Sequence, residues 1–158
     1  MTTTGREGGA AKPSQRGPAI LVVEDDSTIA AVLADLLDQE GFAVAVARNG
    51  WQALDLVDRV AFAVILLDLW MPVMDGREFS HALRHRGLAT PIVLMTAQDE
   101  SAIVAGEIGA IAQVRKPFAL ETVLTTIDDV FALRTLDRWS ELVTPPTGPV
   151  LGGSFLPV

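Results

Sequence analysis

Five residues with chemically reactive side chains stand at or just beyond the ends of short apolar runs. Glu24 and Asp25 follow one run, Asp68 a second and Thr96 a third, and Lys116 lies two residues beyond a fourth. Carboxylate oxygens are ligands that Mg²⁺ prefers, and a carboxylate can attack phosphorus as a nucleophile. An ammonium group stabilises the charge of a phosphoryl group in transfer. Together these side chains predict divalent-metal and phosphoryl chemistry.

The apolar runs predict the strands that bring these residues together. Buried parallel strands read as continuous apolar runs, and ligands of open parallel α/β sheets bind at the carboxyl ends of the strands. Segments with apolar residues at helical spacing separate the runs, which predicts right-handed strand–helix crossovers. We expect an α/β fold with a doubly wound five-stranded parallel sheet, its strands near residues 20–23, 42–47, 64–67, 92–95 and 111–114.

The helices between these strands have predictable ends and inner faces. Asp26 and Asn49 are expected to cap the first two helices, because aspartate and asparagine accept hydrogen bonds from the free N–H groups of a first turn. The second helix is expected to place Val60 on its inner face, and the fifth to bury Leu120. The short fourth helix is expected to run from about Glu100 to Ile108.

The composition narrows the class of the protein and its compartment. A net charge of −8 without a basic stripe argues against direct nucleic-acid binding. The absence of cysteine excludes disulfides and thiolate metal sites. No run approaches the roughly 18 apolar residues of a membrane span, and the first residues lack the apolar core of a signal peptide. We therefore expect a cytoplasmic protein without membrane insertion.

The chain divides into three predicted parts. Residues 1–18, rich in glycine, threonine and charge, are predicted to form a flexible N-terminal arm. Residues 19–136 are predicted to form the folded domain. Residues 137–158 form a Pro/Gly-rich C-terminal extension that is too short for a second folded domain.

Four motifs give the folded part a family resemblance. It resembles the receiver domain of bacterial two-component response regulators, in the stand-alone form of the chemotaxis-type single-domain regulators. The resemblance implies a flavodoxin-like, three-layer α/β/α fold with strand order 2-1-3-4-5. The motifs are Val22-Val23-Glu24-Asp25-Asp26, Leu67-Asp68-Leu69-Trp70-Met71-Pro72-Val73-Met74-Asp75-Gly76, Met95-Thr96-Ala97 and Lys116-Pro117-Phe118.

The resemblance assigns an acceptor and a metal site. Asp68 would accept a phosphoryl group from a sensor histidine kinase or a phosphotransfer protein. Mg²⁺ would be bound directly by Asp25 and Asp68, through water by Glu24, and by the backbone carbonyl of Trp70. The protein would then be a phosphoacceptor that catalyses only its own phosphorylation and dephosphorylation, and not an enzyme with a separate substrate.

The resemblance also assigns the residues that respond to phosphorylation. Lys116, expected to precede a cis proline bond, would stabilise charge on the phosphoryl group, and Thr96 would hydrogen-bond to it. The face formed by helix 4, strand 5 and helix 5 would then change its binding to a downstream protein. The kinase is expected to dock around Ile29 and Leu33 of helix 1 and on the loop that follows strand 5, through two residues: Pro117 and Phe118.

Two departures from the family pattern leave alternatives open. Gln113 stands where the family usually has tyrosine or phenylalanine, and the chain has no tyrosine. The output face would therefore use another rearrangement, or its coupling to phosphorylation would be weak. One alternative function is thus an interaction module whose output does not depend on phosphorylation. Trp70, two residues after the acceptor, could shield an acyl phosphate from water and slow its hydrolysis.

Two further interpretations are less favoured. An enzyme with an aspartyl nucleophile would need a second acid two residues after Asp68, to protonate a leaving group, and Trp70 occupies that position. His81 and His85, four residues apart on a predicted helix, have a spacing that can bind zinc. No third ligand is evident in the sequence, so we expect an exposed helix face there.

Overall fold

The computed structural model describes residues 17–97 and 102–135, in which strands and helices alternate along the chain. The strands are β1 (Ala19–Val23), β2 (Ala43–Ala47), β3 (Val64–Asp68), β4 (Ile92–Thr96) and β5 (Ala112–Arg115). The helices are α1 (Ser27–Gln39), α2 (Gly50–Val57), α3 (Gly76–His85), α4 (Ala102–Ile108) and α5 (Leu120–Thr135).

The five strands form one parallel sheet in the order β2-β1-β3-β4-β5. In the register of β1 with β3, Val23 lies opposite Leu67, and in that of β3 with β4, Asp68 lies opposite Met95. The last residues of the central strands therefore reach the same edge of the sheet. The predicted fold class and strand order are confirmed.

Alternate residues of the central strands point into two separate apolar layers. Leu21 and Val23 pack with α2, α3 and α4, whereas Ile20 and Val22 pack with α1 and α5. Since both faces of the sheet are covered, each central strand needs apolar side chains at successive positions. This is the reason for the continuous apolar runs in the sequence.

Side chains at the helix N-termini define where three helices begin. Asp26 accepts hydrogen bonds from the backbone N–H groups of Thr28 and Ile29, and Asn49 accepts one from Gln52. Asp75 and Glu78 form a reciprocal capping box at the start of α3. Each cap satisfies donors that the first turn leaves without an intrahelical partner. The predicted caps Asp26 and Asn49 are confirmed.

Two expectations about individual residues are wrong, and the bounds of one strand differ slightly from the predicted ones. Val60 is exposed, because α2 ends at Val57 and Val60 lies beyond the helix. Leu120 is 36% exposed, because the first turn of α5 lies at the edge of the apolar layer. Strand β5 begins one residue later than expected and includes Arg115, whose backbone pairs with Thr96.

Some of the predicted segments fall outside the described residues. These are residues 1–16 of the predicted arm, residues 98–101 with the expected start of helix 4, and everything from residue 136 onward. No helix among residues 17–97 and 102–135 combines the length and the hydropathy that crossing a bilayer requires.

Candidate functional site

The predicted reactive residues lie at the C-terminal edge of the sheet. Glu24 and Asp25 follow β1, Asp68 ends β3, and Thr96 ends β4. Lys116 directly follows β5, and its backbone N–H donates a 2.6 Å hydrogen bond to the carbonyl of Thr96. These five residues, which follow or end four different strands, thus lie together at one edge of the sheet.

The Lys116 ammonium bridges two of the carboxylates. Its Nζ lies 2.7 Å from Oε2 of Glu24 and 3.4 Å from Oδ1 of Asp68. The Glu24 side chain is 1% exposed, so its charge has little access to water and depends on this ammonium. The other Glu24 oxygen accepts a 3.2 Å hydrogen bond from the backbone N–H of Asp26. The Lys116–Pro117 peptide bond is cis, as the resemblance implies.

Burial and neighbouring charge change the acidity of two groups in the site. Loss of hydration and the nearby charge of Glu24 raise the pKa of Asp68 from 3.8 to about 7, although the Lys116 ammonium opposes this shift. Burial lowers the pKa of Lys116, but its hydrogen bond to Glu24 and the charges of Asp68 and Glu24 outweigh that effect and raise the pKa overall. Without a metal, Asp68 is therefore poised to gain a proton near neutral pH.

Three carboxylates at this edge could hold a metal ion. Ligand oxygens of Glu24, Asp25 and Asp68 all lie within 4.8 Å of one another. Trans ligands of Mg²⁺ are separated by about 4.2 Å, twice the metal–oxygen distance. Small side-chain adjustments would therefore bring the three groups around one ion. The ligands are all hard oxygens, which suits Mg²⁺, and the exposed Asp25 leaves the site open to water.

Close backbone packing positions the loop between β3 and α3. A Cβ on Gly76 would lie 2.7 Å from the carbonyl oxygen of Asp68, so only glycine fits beside the end of β3. The Gly76 N–H also donates to the carbonyl of Leu69 at 2.8 Å. Val73 has a φ of 71°, a left-handed conformation that is rare for a β-branched residue. Its exposed, strained position lies in the same loop, five residues after Asp68.

Arg48 also lies beside the site, although no sequence pattern predicts it there. Nη1 of Arg48 donates a 3.3 Å hydrogen bond to the backbone carbonyl of Asp25. This contact joins the end of β2 to the loop after β1 and brings a cation to the rim of the carboxylate cluster. The two residues are 23 positions apart, and Arg48 has no local motif that could have indicated the contact.

The remaining site residues differ in their exposure. Thr96 is buried at the end of β4, whereas Trp70 is 59% exposed in the loop after β3. Gln113 is exposed on β5, opposite Leu94 of β4. The Thr96 hydroxyl is thus buried, whereas the Gln113 amide lies exposed on the neighbouring strand.

The four residues expected to bind a kinase line one groove beside the site. The groove has a volume of about 430 Å³ and lies between α1 and the start of α5. Ile29 and Phe118 are half-buried and Pro117 is exposed, whereas Leu33 is fully buried. Leu33 therefore supports the floor of the groove and offers little surface of its own.

The two histidines lie on the exposed side of α3. The rings of His81 and His85 are 4.6 Å apart. Among residues 17–97 and 102–135, the cluster of Glu24, Asp25 and Asp68 is the only group of three or more potential ligands close enough to share a metal. The histidine pair accordingly has no third ligand in the described structure.

A parallel sheet of order 2-1-3-4-5, with three carboxylates and a lysine at its C-terminal edge, defines the receiver class of flavodoxin-like signalling domains. The chain belongs to the response regulator receiver domain family, which it matches over residues 20–128. It is therefore a signalling protein of two-component systems.

Curated relatives are similar over the same part of the chain. The response regulator MprA of Mycobacterium sp. (strain KMS) is 41% identical over 134 residues, which are 84% of this chain and 56% of MprA. YkoG of Bacillus subtilis (strain 168), described as an uncharacterized transcriptional regulatory protein, is 37% identical over 110 residues, 68% of this chain and 48% of YkoG. The chain spans about half the length of the curated relatives it matches.

Solved structures show the same fold. The chemotaxis response regulator CheY4 of Vibrio cholerae has a TM-score of 0.66 at 33% identity, covering 72% of this chain and 98% of that one. The receiver domain of the Francisella response regulator 1452 has a TM-score of 0.69 at 28% identity, covering 75% of this chain and 99% of that one. Both structures are almost entirely matched by this chain.

Proposed function

We propose that this receiver accepts a phosphoryl group on Asp68 from a histidine of a sensor kinase or a phosphotransfer protein. An oxygen of the Asp68 carboxylate attacks phosphorus, and the bond from phosphorus to the donor imidazole nitrogen breaks. That nitrogen keeps the electron pair of the bond and takes up a proton. The observation that carries the proposal is a buried acceptor carboxylate 3.4 Å from an ammonium, inside a cluster of three carboxylates.

The carboxylate cluster would hold Mg²⁺ during this reaction. Asp25 and Asp68 would be direct ligands, and so would the backbone carbonyl of Trp70. Glu24 would act through water. A bound Mg²⁺ supplies positive charge that offsets repulsion between the acceptor and the anionic donor. The support for this assignment is the short distance among the three carboxylates and their all-oxygen chemistry.

Lys116 and Thr96 would stabilise the phosphorylated form. The ammonium already lies between two carboxylates, so a small movement brings it to a phosphoryl oxygen. The Thr96 hydroxyl would donate to another phosphoryl oxygen. Because that contact exists only after modification, it favours one of two conformations of the domain. The downstream protein would recognise the difference on the face formed by α4, β5 and α5, where Gln113 is exposed.

The donor domain would dock on the groove beside the site. Ile29, Pro117 and Phe118 give this groove an apolar surface, and Lys116 connects it to the acceptor. A protein bound there would hold its histidine next to Asp68. Positioning of this kind lowers the entropic barrier of a two-body reaction.

The experiment that tests the proposal is phosphorylation by a small donor. We expect incubation with acetyl phosphate and Mg²⁺ to add the mass of one phosphoryl group, and expect Asp68→Asn to abolish the gain. Asp75→Asn is a matched control, because Asp75 is a nearby carboxylate that caps α3 and its replacement retains a capping side chain. A gain that persists in Asp68→Asn would refute the acceptor assignment, and no gain in the wild type would favour the alternative, an interaction module whose output does not depend on phosphorylation.

A further inference from the structure

The groove beside the site has an apolar lining that is partly open to solvent. Val32 is 44% exposed and Leu120 is 36% exposed at its edges. Among the described residues that line the groove, Lys116 is the only charged one. The volume of the groove, about 430 Å³, is in the range of pockets that bind ligands. The groove is therefore suited to a few apolar side chains.

The end of the C-terminal extension has apolar, uncharged residues that suit the apolar lining of this groove. Residues 144–158 contain no charged side chain, although the chain as a whole has a net charge of −8. Their apolar side chains include Val150, Leu151, Phe155 and Leu156. Burial of apolar side chains against an apolar lining is favourable, whereas burial of an unpaired charge is costly. Residues 144–158 are therefore the part of the extension that can be buried against an uncharged surface without moving a charged side chain out of water.

The N-terminal arm has the opposite composition. Residues 1–16 carry Arg6, Glu7, Lys12 and Arg16, and they contain no large apolar side chain apart from Met1. An arm of this kind gains little from an apolar groove, and its charges would be costly to bury there. Of the two terminal segments, the C-terminal one is the occupant that the chemistry supports.

The C-terminal extension is also long enough to reach the groove. Leu120, which lines the groove, begins α5, and Thr135 ends the helix 15 positions later, a distance of about 23 Å. A flexible chain of 20 residues, the number from Thr135 to Phe155, would have a typical end-to-end distance of about 25 Å. The distance along α5 and the reach of the connecting residues are therefore similar. This similarity gives the highest effective concentration of the segment at the groove.

We propose that residues 154–158 dock in the groove of the same chain, with Phe155 and Leu156 as the buried anchors. A tether of this length gives an effective concentration on the order of 1 mM, so even weak contacts are sufficient for occupancy. On the function proposed above, the docked segment covers the surface that a histidine donor needs. Donor domains must then displace it, whereas small phosphodonors reach Asp68 without doing so.

Disulfide trapping tests the docking without relying on phosphorylation. The chain has no cysteine, so two can be introduced as Val32→Cys in the groove and Ser154→Cys beside the anchors. The matched control pairs Ser154→Cys with Ala31→Cys, an exposed neighbour on α1 that lies outside the groove lining. With glutathione disulfide as the oxidant, we expect the Val32 pair to form an intramolecular bond about tenfold faster than the Ala31 pair.

Further variants separate the possible outcomes. Adding Phe155→Ser and Leu156→Ser should equalise the two rates, and far-UV circular dichroism of each variant reports whether the domain is folded. Adding Asp68→Asn should leave the faster disulfide formation of the Val32 pair unchanged. Failure of the acceptor proposal and failure of the docking proposal are therefore distinguishable. Equal rates in the folded parent pairs would overturn the docking. A disulfide between two chains would assign the groove to a second copy and would overturn it as well.

Discussion

Replacing Asp68 by asparagine should stabilise the metal-free protein, and the gain should increase with pH. The folded pKa of about 7 lies above the unfolded value of 3.8. Between these values the folded state retains a proton that the unfolded state has lost, so wild-type stability falls as pH rises through this window. Asparagine resembles the protonated carboxyl and does not ionise, so the variant avoids this loss.

The magnitude follows from the difference between the two pKa values. A difference of about three units between 3.8 and about 7 corresponds to about 4 kcal/mol in the free energy of unfolding once the pH exceeds both values. Near pH 5 the expected gain is about 2 kcal/mol, because this pH lies only about one unit above the unfolded pKa of 3.8. The pKa of about 7 already includes the attraction of Asp68 to Lys116, so both figures apply when asparagine makes the same contacts as the protonated carboxyl.

The assay is urea unfolding in EDTA at pH 5 and pH 8, followed by tryptophan fluorescence and circular dichroism. Asp129→Asn is a control for the loss of one charge from an acidic chain, because Asp129 is exposed on α5, away from the site. Adding Mg²⁺ should reduce or reverse the difference, since the metal stabilises the wild type by binding its folded state. A gain that is absent at pH 8, or equal at both pH values, would refute the reasoning.

Three other predictions concern Lys116, Gly76 and Trp70. Lys116→Met should lower the free energy of unfolding by about 2 kcal/mol in urea titrations, because it leaves the buried Glu24 carboxylate without its cation; unchanged stability would contradict the importance of that pair. Gly76→Ala should lower it by about 1–3 kcal/mol, because its Cβ would lie 2.7 Å from the carbonyl oxygen of Asp68; an unchanged melting temperature would show that the loop relaxes freely. Trp70→Asn should accelerate loss of the phosphoryl group, measured by mass spectrometry after donor removal, because a smaller polar side chain admits water. An unchanged or slower loss would show that the Trp70 ring does not shield the acceptor.

Features that depend on neighbours in sequence could be predicted from the sequence. Asp26 and Asn49 were expected to cap helices because a cap requires only N–H groups two or three residues ahead. The central strands were expected because burial of both sheet faces requires successive apolar residues. The bounds of shorter elements are harder to predict, since the hydrophobic pattern does not show where a helix such as α2 ends.

Contacts between distant segments could not be predicted from composition or periodicity. The bond of Arg48 to Asp25 joins two loops, and the close approach of Gly76 to Asp68 depends on how the β3–α3 loop folds back. Leu120 was expected in the core because helical spacing identifies a face of the helix. It does not show how far the core extends beneath that face, and the first turn of α5 borders the groove instead.

The sequence by itself determined the order of strands and helices, the positions of reactive residues at strand ends, and the family. Apolar runs, caps and short motifs are local, so they can be read along the chain. Only the tertiary structure decided that Lys116, 92 residues from Glu24, lies 2.7 Å from its carboxylate and 3.4 Å from that of Asp68. The pKa of Asp68 depends on that arrangement, because burial and neighbouring charge act through distance in space and not through distance along the chain.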